Sequence, residues 1–316
     1  MSFFALLGLL ATAAIVVAVV NQIIPYLRAS QLHRYLHTRH GKPAWAMVTG
    51  ASDGIGRALS NELAATGFNI VLHGRNPSKL ACVQQELLVA YPARHFRILI
   101  ADATQCAPDV FKDIVNQVAD LHLTVLISNA GGAPTATANP FKTLDDNTNK
   151  ELADTLHLNA TFPTMLLNAL IPTLARDGPA LIIVVGSLAA WGLPLVSAYG
   201  ATKAYLLSLC QSVAREMRIK KRDVEVMYLG VGSVTGVSHT SGAPSFFQPS
   251  ASTLAKDALA RVGCRRAVIV PYWPHALQRA LMDLMPGMVK DIIFSKTMLE
   301  LQAKGLDSRE KGGKSE

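Results

Sequence analysis

The sequence predicts an α/β fold built on a doubly wound parallel sheet, from three observations. Short apolar runs alternate with helix-patterned stretches along most of the chain. Five-residue apolar runs such as Leu181–Val185 suit strands covered on both faces. A glycine-rich turn, Thr49–Gly56, joins the first run to the first helical stretch. Strands alternating with helices pair in parallel through right-handed crossovers.

In order, Ala44–Val48 is the first strand, and Ile55–Ala65 a helix stopped near Gly67. Asn69–His73 is a strand and Pro77–Ala90 a helix, then Phe96–Ile100 a strand and Pro108–Ala119 a helix. Thr124–Ser128 is the fourth strand, followed by one long helix over about Leu152–Leu174. Ala180–Val185, helix Ala198–Met217, Val224–Tyr228 and a last strand Ala267–Val270 complete the pattern. Ala133–Asn149 is polar and rich in Pro, Thr and Asn, and Ser233–Ser252 is rich in Gly, Pro and Ser. Both read as surface loops. Neither a repeat nor a second folded domain is read.

Ahead of this unit, Phe3–Val20 holds 18 apolar or small residues, the lower limit for a membrane-spanning helix. At 1.5 Å per residue it would reach roughly 27 Å. No Lys or Arg precedes it, as a cleaved signal peptide would require. Arg28, Arg34, Arg39 and Lys42 follow it, and the first acidic residue is Asp53. That asymmetry places the downstream side in the cytosol. The organisation read is therefore a membrane anchor at 1–27, a basic juxtamembrane linker at 28–43, a catalytic domain at 44–272, an amphipathic helical extension at 273–303 and a disordered tail at 304–316. A cleaved signal or a peripheral helix is the rival reading.

The net charge is +8, and the linker cations explain half of it as a flank to an anionic membrane surface. Nucleic-acid binding is not needed. The four cysteines form no CxxC pair, against a disulfide framework or a metal site and in keeping with a reducing compartment. Of the nine histidines, His33 and His37 stand four apart within the basic stretch after the apolar run. All nine read as surface or membrane-flank residues, and no metal is expected.

In the turn Thr49-Gly50-Ala51-Ser52-Asp53-Gly54-Ile55-Gly56, glycines let the backbone approach a pyrophosphate at a helix N-terminus. The spacing is GxxxGxG rather than GxGxxG. Gly50, Ser52, Asp53, Gly54, Ile55 and Gly56 are the candidate phosphate contacts. The second strand runs into Gly74-Arg75-Asn76. An acid there would hold the ribose 2′-hydroxyl of NAD, whereas Arg75 suits the 2′-phosphate of NADP. Asn76 joins it as a candidate and Arg57 is a possible helper; a solvated Arg75 is the alternative.

These residues resemble the short-chain dehydrogenase/reductase family over about Lys42–Val270. The resemblance rests on TGxxxGxG at Thr49–Gly56, NAG at Asn129–Gly131, Asn159, Ser187 and YxxxK at Tyr199–Lys203, all in order. It implies a Rossmann-like fold and carbonyl–alcohol chemistry with NADPH. Within the family the layout is closest to membrane-bound 3-ketoacyl-CoA reductases and 17β-hydroxysteroid dehydrogenase relatives. The apolar N-terminus, TGASDGIG, a long C-terminal extension and the Pro274-His275 pair carry that closer likeness.

Ketone reduction adds a hydride to carbon and a proton to oxygen. A Tyr199 hydroxyl can give the proton, and an ammonium at i+4, Lys203, would lower its ordinary pKa near 10. Ser187 would hydrogen-bond the substrate oxygen. The resemblance gives Lys203 a second role on the nicotinamide ribose and gives Asn159 a water in a proton relay. It makes Asn129 and Asp102 cofactor contacts, Asp102 at the adenine; an Asp N-cap is the rival for Asp102. Asn159 also heads an Asn-Ala-Thr sequon, a reading that fails if it is buried and cytosolic. After the sixth strand the family carries Pro-Gly and then Val-x-Thr, whereas this chain has Val231-Gly232-Ser233-Val234-Thr235. Val234 and Thr235 are the candidate carboxamide contacts, and the loop to Ser252 a substrate lid.

Leu277, Leu281, Leu284 and Met288 mark an apolar helical face interrupted at Pro286-Gly287, packed on the core or lying on a membrane. Lys311 and Lys314 stand as in a lysine-based retrieval tail, at poor spacing. The reading is an endoplasmic-reticulum enzyme that reduces a small lipophilic ketone (3-ketoacyl-CoA or sterol-like) with NADPH, with a homodimer as a family-level expectation. A ketoreductase for a polyketide or terpenoid, or a non-catalytic NADP-binding scaffold, are the alternatives.

Overall fold

A computed structural model describes residues 3–132, 141–176, 178–237 and 242–312, with side chains through residue 303. Parts of both predicted loops (133–140 and 238–241) and Lys314 of the tail lie outside the described residues.

Seven parallel strands form one sheet in the order β3-β2-β1-β4-β5-β6-β7. They are β1 Ala44–Thr49, β2 Asn69–Gly74, β3 Phe96–Ile100, β4 His122–Ser128, β5 Ala180–Val185, β6 Val224–Leu229 and β7 Val268–Ile269. The order reverses between β1 and β4, so a crevice opens at their C-terminal ends, where doubly wound sheets bind ligands. Every residue of β1, β2, β4 and β5 is buried, the reason those runs lack polar alternation.

The helices are α1 Phe3–Leu27, α2 Gly54–Thr66, α3 Pro77–Ala90, α4 Pro108–Val118, α5 Asn149–Leu156, α6 Phe162–Arg176, α7 Ser197–Ile219, α8 Ala251–Ala260, α9 Trp273–Leu284 and α10 Gly287–Gly312. Along β1 successive residues face opposite layers. Ala46 and Val48 pack with Leu59 and Leu63 of α2, Leu80 of α3 and Leu254 of α8. Trp45 and Met47 pack with Phe111 of α4, Phe162 and Leu166 of α6 and Leu206 of α7.

Four differences from the sequence reading stand out. The long helix read over Leu152–Leu174 is α5 and α6 joined by a π turn at His157–Thr161. Helix α8 was missed, although Ala251, Leu254, Ala255, Ala258 and Leu259 sit at helical spacing and all are buried. Its N-cap, Ser250, accepts from the Thr253 amide, inside the stretch Ser233–Ser252 that reads as a surface loop. The C-terminal extension is two helices that part at Met285–Pro286, and α10 runs through Gly312 into the stretch read as a tail.

The fourth difference concerns the stretch before β1. Helix α1 is long and apolar enough to cross a membrane, and none of its apolar window is buried. The segment after it is not a free tether. Leu32 and Tyr35 belong to the α2–α3–α8 core. The segment crosses the N-terminal edge of the sheet. There Tyr35 donates to Glu225 at 2.5 Å and Arg34 pairs with Asp223 at 2.7 Å. Lys42 donates to the Asp120 carbonyl at 3.0 Å. Two of the cations read as a membrane flank are therefore engaged by the folded α/β unit. At the end of α1, Tyr26 donates to the Val270 carbonyl at 2.6 Å, and Arg261 to the Pro25 carbonyl at 2.8 Å.

Candidate active site

The crevice is built on backbone crossing points. Thr49 ends β1, and its hydroxyl oxygen accepts from the amides of Asn129 at 2.8 Å and Ala130 at 2.9 Å, beyond β4. The Asn129 side chain returns a hydrogen bond to the Thr49 carbonyl at 3.0 Å. The ends of the two switch-point strands are thus locked together.

Over this lock lies the glycine turn. Gly50 and Gly54 have φ of +65° and +51°, the left-handed region that a side chain disfavours. A Cβ on Gly56 would stand 2.1 Å from the Gly50 carbonyl oxygen, so the turn can close only without one. Asp53 caps α2 by accepting from the Gly54 amide at 2.7 Å. Ser52 and Ile55 are half-buried beside it. Bare backbone at a helix N-terminus forms a cradle that fits a dinucleotide pyrophosphate.

Arg75 is exposed just past β2. Asn76 caps α3, its side chain accepting from the Lys79 amide at 2.9 Å. Arg57, the suggested helper, pairs with Glu86 at 2.5 Å, which ties α2 to α3. Asp102 accepts from the amide and the hydroxyl of Thr104, both at 2.9 Å. It is not the N-cap of α4, a place held by Ala107. Val234 and Thr235 are buried, and Thr235 hydrogen-bonds Pro249 through its amide at 2.9 Å. Val237 of the same segment lies over the glycine turn: a Cβ on Gly54 would meet it at 2.9 Å.

The four residues picked for chemistry come together. Ser187 leaves β5 and caps a 3-10 turn, Leu188–Trp191, accepting from the Ala189 amide at 3.0 Å. Tyr199 and Lys203 lie one turn apart on α7. Tyr199 hydrogen-bonds Ser187, and the Lys203 ammonium lies 5.3 Å from the Tyr199 ring centroid. Asn159 sits in the π turn, fully buried, which removes it as a sequon acceptor. Its side chain accepts from the Gly132 amide at 2.8 Å and donates to the Gly132 and Thr155 carbonyls at 2.8 and 3.0 Å. A Cβ on Gly131 would lie 2.8 Å from Asn159 and 3.1 Å from the Lys203 nitrogen. Gly131 therefore separates the two. π turns often mark functional sites.

Burial dominates the electrostatics. It pushes the Lys203 pKa down to about 8. It pushes that of Tyr199 up, and the hydrogen bond with Ser187 works the other way. The lowering expected from Lys203 thus does not prevail. Taking a phenolate out of water outweighs an ammonium that sits over the ring face.

Sequence reasoning missed two residues. Tyr228, next to last in β6, places its hydroxyl against the Ser187 main chain. His275, of the Pro274-His275 pair, is fully buried. It accepts from the Gly232 amide at 3.3 Å and bonds the Phe247 carbonyl at 3.1 Å, so it clasps the two ends of the segment after β6. His73 and His122 are buried too. Reading the histidines as surface residues fails for all three, because sequence spacing does not report which layer covers a strand end.

A cleft of about 510 Å³ is lined by Trp191, Leu193, Pro194, Ser197, Ala204 and Phe294 among others, on the face of α7 turned away from Tyr199 and Lys203. Trp191 stacks on Phe294 of α10 at 6.0 Å, so the C-terminal extension forms one wall of the cleft.

A short chain dehydrogenase family pattern matches residues 44–243. The chain belongs to the short chain dehydrogenase family. It is an oxidoreductase acting on CH–OH or keto groups, and the fold binds a nicotinamide cofactor. The chain is 32% identical over 297 residues to a very-long-chain 3-oxoacyl-CoA reductase of Caenorhabditis elegans, covering 94% of this chain and 92% of that one. It is 30% identical over 250 residues to a very-long-chain 3-oxoacyl-CoA reductase of Pyricularia oryzae, covering 77% and 73%. A solved 7β-hydroxysteroid dehydrogenase shares the fold with a TM-score of 0.69 at 19% identity, covering 80% and 96%.

Proposed function

We propose that this short chain dehydrogenase is an NADPH-dependent reductase of a lipophilic ketone, with a 3-ketoacyl-CoA as the leading substrate class. The observation that carries the reading is the meeting of Ser187, Tyr199 and Lys203 at the C-terminal ends of the strands, next to the glycine turn and the Asn129–Gly131 backbone. The names of both relatives point the same way. For the cofactor, support comes from Arg75 directly after β2 and from the absence of an acid in Gly74-Arg75-Asn76 to hold a free 2′-hydroxyl.

Bound NADPH would supply the hydride. Gly50–Gly56 would seat its pyrophosphate, with Asp102 and Asn129 beside the adenine half and Val234 and Thr235 beside the carboxamide. On the chain's own side, Ser187 donates to the substrate oxygen and Tyr199 delivers the proton. Lys203 holds positive charge beneath them, and Asn159 fixes the Gly131–Gly132 backbone. Helix α1 anchors the enzyme in the endoplasmic-reticulum membrane with the catalytic unit in the cytosol, next to a substrate that concentrates in lipid.

The test is NADPH oxidation by the full chain in microsomes, with 3-ketoacyl-CoAs of increasing length against short water-soluble ketones. The expected result is ketone-dependent oxidation that rises with chain length. NADPH binding without turnover of any ketone would favour a non-catalytic scaffold and overturn the reading.

A further inference from the structure

We propose that Tyr228 is a positioning residue for the reductase site, one buried hydroxyl that sets the backbone of both Ser187 and Lys203. Tyr228 lies on β6 in register with Val184 of β5. Its ring is buried in the layer that holds α7, and its hydroxyl ends at the Ser187 and Lys203 main chains. It accepts from the Ser187 amide at 3.0 Å. Its proton is shared between the Ser187 carbonyl at 3.1 Å and the Lys203 carbonyl at 3.2 Å. Ser187 is on the β5 loop and Lys203 on α7, so a single group joins the two elements that carry the chemistry.

Residue 186 shows that the ring's path is built into the chain. A Cβ on Gly186 would fall 1.9 Å from Cζ of Tyr228. The glycine before Ser187 and the tyrosine on the next strand therefore fit only as a pair. Tyr228 is 1% exposed, and a hydroxyl that deep must find partners. A purely structural tyrosine could find them in any nearby backbone. These partners are the main chains of a substrate-facing serine and of the lysine beneath Tyr199.

Ser187 also hydrogen-bonds Tyr199. Setting the Ser187 backbone thus fixes both the donor to the substrate oxygen and the partner of the proton donor. Small displacements of such groups are expensive in rate. The titratable groups facing Tyr199 are Lys203 on its own helix and Tyr228 from β6. Cys210 and Arg279 act on Tyr228 in turn.

The experiment compares Tyr228→Phe with Tyr35→Phe in the full chain, using NADPH and a ketone that the wild type turns over. Each variant removes one buried phenolic hydroxyl, at opposite edges of the sheet. Y228F is expected to lose about ten-fold in kcat with KM changed by no more than about two-fold. Its alkaline limb should move to higher pH, because a loosened Ser187 no longer favours the Tyr199 phenolate. Y35F is expected to lower the melting temperature and leave kcat and the pH limb in place. The proposal is overturned if the two variants behave alike in kcat and pH profile. It is equally overturned if Y228F changes only the melting temperature, or fails to fold where Y35F folds. Each of those results would assign the hydroxyl to the fold.

Discussion

The two edges of the sheet handle buried polar groups in opposite ways. At the N-terminal edge they are closed on one another. Glu225 accepts from Tyr35 through one oxygen and from the Gly263 amide through the other, at 2.5 and 3.1 Å. His37 and His122 meet at 3.3 Å, and His37 continues to the Pro179 carbonyl at 3.1 Å. At the C-terminal edge, buried Lys203 reaches one backbone carbonyl, Val185, at a long 3.4 Å. An edge whose hydrogen bonds are complete adds stability. An edge that holds an incompletely paired cation can exchange protons and bind charge. Parallel strands bring this asymmetry about, since every strand ends on the same side.

The largest expected effect that tests this comparison is on Lys203. Lys203→Met should lower turnover by about 10²-fold or more while leaving the melting temperature unchanged or raised, since a buried cation is replaced by an isosteric apolar chain. Kinetics and thermal melts on one preparation check it. A variant that melts early would place Lys203 among the stabilising groups and erase the contrast.

His73 lies next to the C-terminal end of β2. It is stacked on Phe162 at 5.4 Å, and neither ring nitrogen has a hydrogen-bond partner among the described residues. Burial holds its pKa at about 4 against 6.5 in the unfolded chain. A depressed histidine pKa means the unfolded state binds more protons between those values, so stability rises with pH across that window. The contribution is full above about pH 6.5 and lost as pH falls toward 4, roughly 3 kcal/mol in all. Melting temperature measured from pH 4 to 7 should climb, and His73→Phe should flatten the climb. An unchanged slope would show that other groups produce it.

Tyr35→Phe removes one hydrogen bond at the closed edge. It should cost about 1–3 kcal/mol of stability, because a carboxylate oxygen of Glu225 is left unpaired, with turnover at low temperature unaltered. Chemical denaturation of the full chain reads the first and an activity assay the second. The smallest effect is expected at exposed Arg75. Arg75→Ala should weaken NADPH binding by about ten-fold, roughly 1.4 kcal/mol, and leave NADH binding alone. Equal weakening of both cofactors would remove Arg75 from the 2′-phosphate.

Most strands could be read from the sequence because both faces of the sheet are covered, and a fully apolar run has few other uses. Ala180–Val185, buried at every residue, occupies the residues expected for it. The Ser187–Tyr199–Lys203 grouping was readable because the helix places residues four apart on one face. What stayed hidden depends on contacts distant in the chain. The bond from Tyr35 to Glu225 spans 190 residues and that from Tyr228 to Ser187 spans 41. A basic, histidine-rich stretch looks solvated until its partners on the strand ends are known. The π turn at Asn159 was invisible for a different reason. It adds one residue to a helix without changing the residue types that favour helix.

The central claim is that the C-terminal edge performs proton transfer to a ketone reduced by NADPH, with Tyr199 as donor. Its most direct test is ketone-dependent NADPH oxidation by the full chain and by Tyr199→Phe, with NADPH binding measured on both. The account predicts turnover in the wild type, a loss of about 10²-fold or more in the variant, and equal cofactor affinity. Turnover in the variant equal to that of the wild type would contradict it.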